Sequence, residues 1–216
     1  MRRRLATGAV LVGILVVSAC SPRETVFEGF GDDARRLRVV NRQVTRIPDR
    51  NGVQLSPASG NGVAWVEGTD FQSGTIEVDV RGREFLGQTF VGVAFHRKDD
   101  NTYEAVYVRP FNFRASDPIR KQHAVQYITL PEFDYDRLRK DLPEEFENPI
   151  DASVGPTDWV KLRVVVGVRI QIYVGAVSEA ALEVRKLGQL YGGQVGLWVG
   201  NDSGGDFANL VVTPTK

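Results

Sequence analysis

The sequence predicts an all-β protein, a two-sheet antiparallel sandwich or jelly roll, and three observations carry that prediction. The first is a period of two in the apolar residues, which places alternate side chains on opposite faces of a strand. It runs through residues 75–80, 90–96, 103–109, 160–166 and 168–174. The second is the turn chemistry between these runs. Residues 49–52, 59–62, 98–101 and 200–205 gather the Gly, Asn, Asp and Ser that tight turns require. The third is length: a chain of 216 residues without internal repeats suits one sandwich of about ten strands.

The N-terminus reads differently. Arg2, Arg3 and Arg4 precede an apolar run over residues 5–19, and Cys20 follows as the one cysteine of the chain. Such a run is shorter than the ~20 residues of a spanning helix and ends in small residues, as a secretory signal does. Val17-Ser18-Ala19-Cys20 resembles the lipobox of bacterial lipoproteins. The resemblance implies cleavage before Cys20 and a diacylglycerol on its thiol; an ordinary secretory signal is the other reading. The expected organisation is a signal peptide over residues 1–19, a lipidated tether over 20–26 and a single jelly-roll domain over 27–216. The protein is then exported and membrane-anchored, on the periplasmic face or the cell surface, touching the membrane through its lipid only. With one thiol it forms no internal disulfide, so its stability rests on the core.

Cleavage removes three arginines and no acid, leaving 24 basic residues against 27 acidic ones and a formal charge of −3. A weakly acidic surface excludes a nucleic-acid partner, which calls for a basic stripe. Neutral ligands such as glycans fit, and a monomer is expected.

Two segments depart from the strand pattern. Residues 131–150 carry three prolines, many charges and a short helical pattern over 134–142. A loop of that length inside a domain is usually functional or disordered, and Phe133, Tyr135 and Phe146 argue for order. Residues 177–183 read as a helical turn or a hairpin tip.

The order of residues 71–80, 158–166, 170–174, 193–200 and 206–212 resembles concanavalin A-like jelly rolls, including laminin-G-like domains and the secreted domain family named for 3-keto-disaccharide hydrolysis. The resemblance implies one convex sheet and one bent sheet whose outer face forms a groove for carbohydrate. Alternation then nominates the residues that face outward. Ile76, Val78 and Val80 inward leave Glu77, Asp79 and Arg81 outward; Val91, Val93 and Phe95 inward leave His96 outward; Val106 and Val108 inward leave Tyr103, Tyr107 and Arg109 outward; Leu197 and Val199 inward leave Trp198 outward. A face combining Glu77, Asp79, His96, Tyr107, Arg109 and Trp198 has the chemistry of a sugar site, with aromatic rings for stacking and charged groups for hydroxyls. The alternative is a solvated sheet face laced with cross-strand pairs.

Tyr107, Arg109, Asn112, His123 and Trp198 are the expected binding residues, Asn112 and His123 lying in the loop after the 103–109 strand. Glu77, Asp79 and His96 are the catalytic candidates. Glu77-Val-Asp79 resembles the start of the Glu-x-Asp-x-Glu motif of family 16 glycoside hydrolases, but Arg81 occupies the place of the acid/base. The two carboxylates stand about 6.6 Å apart along a strand, the wider spacing of inverting enzymes. Asp206, with Asn201, Asp202 and Ser203 before it, offers hard oxygen ligands for a structural Ca²⁺; Asx-turn chemistry is the other reading, and no further cofactor is expected. Trp159, at the start of a strand, is expected in the core. Glycan binding is the leading functional expectation. A glycoside hydrolase in the same groove and a structural or protein-binding laminin-G-like module are the rivals.

Overall fold

The computed structural model describes residues 25–26, 30, 36–151 and 153–215. The expected signal peptide, Cys20 and the start of the expected tether lie outside them. The strands are β1 (Thr25–Val26), β2 (Leu37–Val40), β3 (Val44–Ile47), β4 (Gly52–Leu55), β5 (Gly62–Val66), β6 (Gly74–Arg81), β7 (Val91–Phe95), β8 (Tyr103–Val108), β9 (Val125–Leu130), β10 (Glu147–Asn148), β11 (Val160–Val166), β12 (Arg169–Val174), β13 (Leu182–Arg185), β14 (Gly196–Val199) and β15 (Gly205–Pro214). Two short helices, α1 (Pro118–Gln122) and α2 (Tyr135–Asp141), flank β9.

The strands form two antiparallel sheets. The back sheet runs β13-β12-β11-β6-β15-β4-β3, with β1 also paired to β15, and the front sheet runs β10-β9-β8-β7-β14-β5-β2. The expected all-β, two-sheet sandwich is therefore present. Thr25 and Val26, placed in the tether on sequence, instead pair with Val212 and Val211, so the sheet begins earlier than expected.

The two sheets read differently in sequence because their surroundings differ. In the back sheet, Ile76, Val78 and Val80 of β6 and Leu162, Val164 and Val166 of β11 are buried while their neighbours are half-exposed or exposed. That is the alternation of a sheet with one dry face. In the front sheet β5, β7, β8 and β14 are buried at every position. Their inner face meets the back sheet, and α2 packs on β9 from the other side. The core between the sheets is built from Ile76, Val78, Val93, Val106, Leu162, Val164, Leu197 and Phe207. At about 25 cal/mol per Å² of apolar surface, this burial is the main stabilising contribution in a chain with a single thiol.

Trp159 is half-buried, not in the core. The Arg81 and Arg50 guanidinium groups stack on its ring, 4.8 Å and 5.2 Å from the centroid, which covers it from outside the back sheet. A bulge in β15 between Ala208 and Val211 explains a further irregularity. Asn209 takes φ 53° there and its side-chain amide donates to Asp79 at 2.7 Å.

The 131–150 segment is ordered around α2. Asp134 caps it by accepting from the Arg137 amide at 2.8 Å, Asp136 lies in its first turn, and Arg139 and Lys140 lie in its last. Leu138 is the buried anchor of this helix. In α1, Asp117 accepts from the Ile119 amide at 2.9 Å and Pro118 occupies the first turn.

Candidate functional site

A row of residues crosses the outer face of the front sheet from edge to edge. In register it reads Val40, Val63, Trp198, Gly92, Tyr107, Gln126 and Glu147. Gly92 lies between the two aromatics. Without a side chain there, the rings of Trp198 and Tyr107 lean together, with centroids 4.7 Å apart. Trp65 uses the same device: it pairs with Gly196 in register, next to Ala94. The Tyr103 ring meets Trp65 edge-on at 5.3 Å, and its hydroxyl accepts from Trp198 Nε1 at 3.2 Å.

Above this floor lie three hollows that share walls. The central one, about 300 Å³, is lined by Phe90, Tyr107, Ile128, Leu130, Tyr135 and Trp198, with Asn61 and Asn201 at its rim. Asn61, Leu130 and Asp134 also border the second hollow, near Tyr103, Asp100 and Val63. Phe90, Gly87 and Tyr135 also border the third, near Arg109, Arg120, His123 and Arg139. Together they make one groove along the front sheet, walled by α2 on one side and by residues 86–90 on the other. Trp198 and Tyr107 are its floor, only 3% and 2% exposed. The open aromatic surface belongs to Tyr135, 44% exposed, and the half-buried Phe90.

The two ends of the groove differ in charge. At the Tyr103 end, Asp100 is held by Arg38 and by Arg97 at 3.0 Å. Desolvation pushes its carboxyl up, but hydrogen bonds from both arginines outweigh that and leave it below its ordinary value. At the other end Arg109 is buried. It donates to Gln126 Oε1 at 2.6 Å, to the Tyr107 hydroxyl at 2.9 Å and to the His123 carbonyl at 3.0 Å. Glu147, equally buried, sits 3.8 Å from Arg109, 2.7 Å from His123 Nδ1 and in a two-pronged pair with Arg139 at 2.9–3.2 Å. Burial pushes the Arg109 guanidinium down from its ordinary value and the Tyr107 phenol up. Burial likewise pushes the His123 imidazole down, against the upward pull of Glu147.

The binding residues expected from sequence, Tyr107, Arg109, Asn112, His123 and Trp198, all line the groove. The catalytic candidates do not. Glu77 and Asp79 point outward from β6 in the back sheet, on the opposite side of the sandwich from Trp198, so no single site holds all six residues of the expected face. The physical reason is that alternation assigns a side chain to a face of its own sheet and carries no information on which sheet the strand joins. Glu77 stands opposite Arg163 in register, and Asp79 lies 3.6 Å from Lys161, as cross-strand charge pairs do.

His96 departs for another reason. Its φ of 53° breaks the alternation just after Phe95 and turns the ring inward. Only 1% exposed, it donates from Nε2 to the Gln72 carbonyl at 2.9 Å and faces Glu104 from Nδ1 at 3.1 Å. Glu104 in turn accepts from the Tyr127 hydroxyl at 2.9 Å and pairs with Lys186 at 3.5 Å. This is an enclosed polar network, closed to a sugar in the groove.

The expected Ca²⁺ ligand Asp206 is also committed elsewhere. Its Oδ1 accepts from Gln54 at 2.7 Å and its Oδ2 from Arg81 at 2.6 Å and 2.9 Å, on the back sheet. Among the described residues no three acidic, histidine or cysteine side chains gather as metal ligands.

Several residues of the groove and of the buried network beneath it escaped the sequence reading. Gln126 lies in β9 and Glu147 in the two-residue β10, neither of which shows a long alternating run. Tyr135, Arg139 and Phe90 come from loops and helix ends. The usable signal was Gly92 in an otherwise apolar strand, since a glycine inside a strand marks close approach above it.

Neither a protein-family model nor a curated protein matches the sequence. Solved structures do match. A carbohydrate-binding module, CBM66 from Bacillus subtilis, superposes with a TM-score of 0.57 at 18% identity, covering 81% of this chain and 93% of its own. The fold is a lectin-like jelly roll. The same lectin-like jelly roll appears in the exoplasmic/lumenal domain of VIP36 in its Ca²⁺/Man3GlcNAc-bound form, with a TM-score of 0.57 at 12% identity over 86% of this chain and 87% of that one. A native glycosidic hydrolase matches with a TM-score of 0.60 at 11% identity, over 91% and 97%.

Proposed function

We propose that the protein is a glycan-binding domain that holds its ligand in the groove of the front sheet, displayed outside the cytoplasm on a lipid at Cys20. The observation that carries the reading is the groove itself. A floor of Trp198 and Tyr107 with open walls at Tyr135 and Phe90 offers apolar area to sugar ring faces, while Asn61, Asn201 and Arg109 bring hydrogen-bonding groups to its rim and end. A separate hollow of about 480 Å³ between residues 148–151 and 174–181 has no aromatic wall. A carbohydrate-binding module and a Man3GlcNAc-bound exoplasmic/lumenal domain of the same fold support the reading by analogy.

Catalysis by Glu77, Asp79 and His96 is left out of the proposal, because two lie on the back sheet and the third is enclosed. The lipid anchor rests on the sequence around Cys20 alone. A Cys20→Ala variant that still takes up labelled fatty acid would remove it.

The test of the binding reading is an array of neutral and acidic oligosaccharides probed with the purified full chain. Specific binding that Tyr135→Ala weakens at least tenfold is the expected result. An array with no bound glycan, or binding indifferent to Tyr135, overturns the reading.

A further inference from the structure

The Arg109 end of the groove gathers three guanidinium groups, those of Arg109, Arg120 and Arg139, together with His123 around one hollow of about 240 Å³. No carboxylate lines it. Glu147 lies beneath the wall and is already shared by Arg139, His123 and Arg109, and Asp136 stands at the Tyr135 side chain. Arg120 is different. Its Nε donates to Asn112 Oδ1 at 3.3 Å and its Nη2 to the Phe111 carbonyl at 2.8 Å, two neutral acceptors. Among the described residues Arg120 forms no ion pair. Three guanidinium charges thus meet Glu147 beneath the wall and Asp136 beside Tyr135, a local excess of positive charge in a chain whose 27 basic and 27 acidic residues balance.

We infer that this hollow is an anion subsite, and that the ligand of the groove is an acidic glycan bearing a carboxylate or a sulfate ester. The inference rests on the glycan reading above and narrows it. Guanidinium forks match the paired oxygens of both groups, and a partly dry cavity screens the attraction less than open water does. Asn112 and the Phe111 carbonyl hold the Arg120 head in place, so little order is lost when an anion arrives. The aromatic stretch between Phe90 and Trp198 takes the ring that follows.

The test compares neutral, uronate and sulfated oligosaccharides on one array and follows the strongest binders by calorimetry. For uronates, the methyl ester supplies a ligand of the same shape without the charge. The expected result is that acidic glycans bind best, that esterification or desulfation weakens them at least tenfold, and that raising salt from 50 to 500 mM weakens the acid but not its neutral counterpart. Uronate and sulfate arms tell the two anions apart. Arg120→Gln, partnered only by neutral acceptors, is expected to lower the preference for acid over neutral ligand at least fivefold at unchanged melting temperature. The wild-type ester and salt comparisons hold whether or not this variant folds. Bound glycans that are all neutral, or equal affinity for acid and ester, overturn the anion subsite and leave the groove standing. Absence of any bound glycan overturns both.

Discussion

Trp198 and Tyr107 stand on either side of Gly92 in the front sheet, and their rings meet over its bare backbone with centroids 4.7 Å apart. The approach leaves no room for a side chain between them. A Cβ on Gly92 falls 2.0 Å from the Val106 carbonyl oxygen and 2.6 Å from the Tyr107 Cα, both rigid backbone atoms. Gly92→Ala is therefore expected to cost about 1–3 kcal/mol, as overpacking does, and to spoil the groove floor. Urea denaturation measures the cost; wild-type stability would contradict the geometry.

Floor and wall aromatics are expected to fail in different ways. Trp198 is nearly enclosed and donates its indole N–H to Tyr103, so Trp198→Ala should cost about 3–5 kcal/mol through the cavity it leaves. Tyr135 is 44% exposed, and Tyr135→Ala should change stability by about 0.5 kcal/mol while weakening glycan binding by roughly 1.4 kcal/mol, a factor of ten. Melting curves and titration calorimetry on the two variants separate these effects. Equal destabilisation by both would show that Tyr135 packs as part of the core.

His123 gives the site a pH dependence. Burial holds its imidazole below the ordinary value of 6.5, so in the folded protein it binds its proton less readily than in the unfolded chain. Stability from this group is then complete above about pH 6.5 and falls as pH drops through the window between that value and the lower folded one. Proton titration of His123 by NMR is expected to show a midpoint below 6.5. A midpoint above it would mean that the attraction of Glu147 outweighs burial.

The opposite face supplies a contrast. Glu77→Gln and Asp79→Asn change the outer surface of the back sheet, away from the groove, and are expected to leave glycan affinity within twofold of wild type. Tenfold weakening by either would place the ligand on the wrong sheet.

Much of the fold was legible because alternation and turn residues act locally. Ile76, Val78 and Val80 announce β6, and Asp134 announces the start of α2. The groove residues were legible to the extent that they sit on strands with clear parity, as Tyr107 and Trp198 do. What alternation lacks is the partner of each strand. Glu77 and Trp198 both point outward, yet strand order puts β6 between β11 and β15 and β14 between β7 and β5. His96 was misplaced by a single left-handed residue, and Trp159 by two arginines that cover a ring outside the core. Such features arise from long-range pairing, which a short window of sequence does not contain.

The three tryptophans give a direct test of where the proposed glycan sits. Trp65 and Trp198 belong to the outer face of the front sheet, whereas Trp159 lies outside the back sheet beneath Arg81 and Arg50. Titrating the strongest array ligand into ¹⁵N-labelled protein and following the three indole N–H signals tests the central claim. Movement of the Trp198 signal, with Trp159 unmoved, is the predicted result; movement of Trp159 while Trp198 stays fixed would contradict a glycan site in the groove.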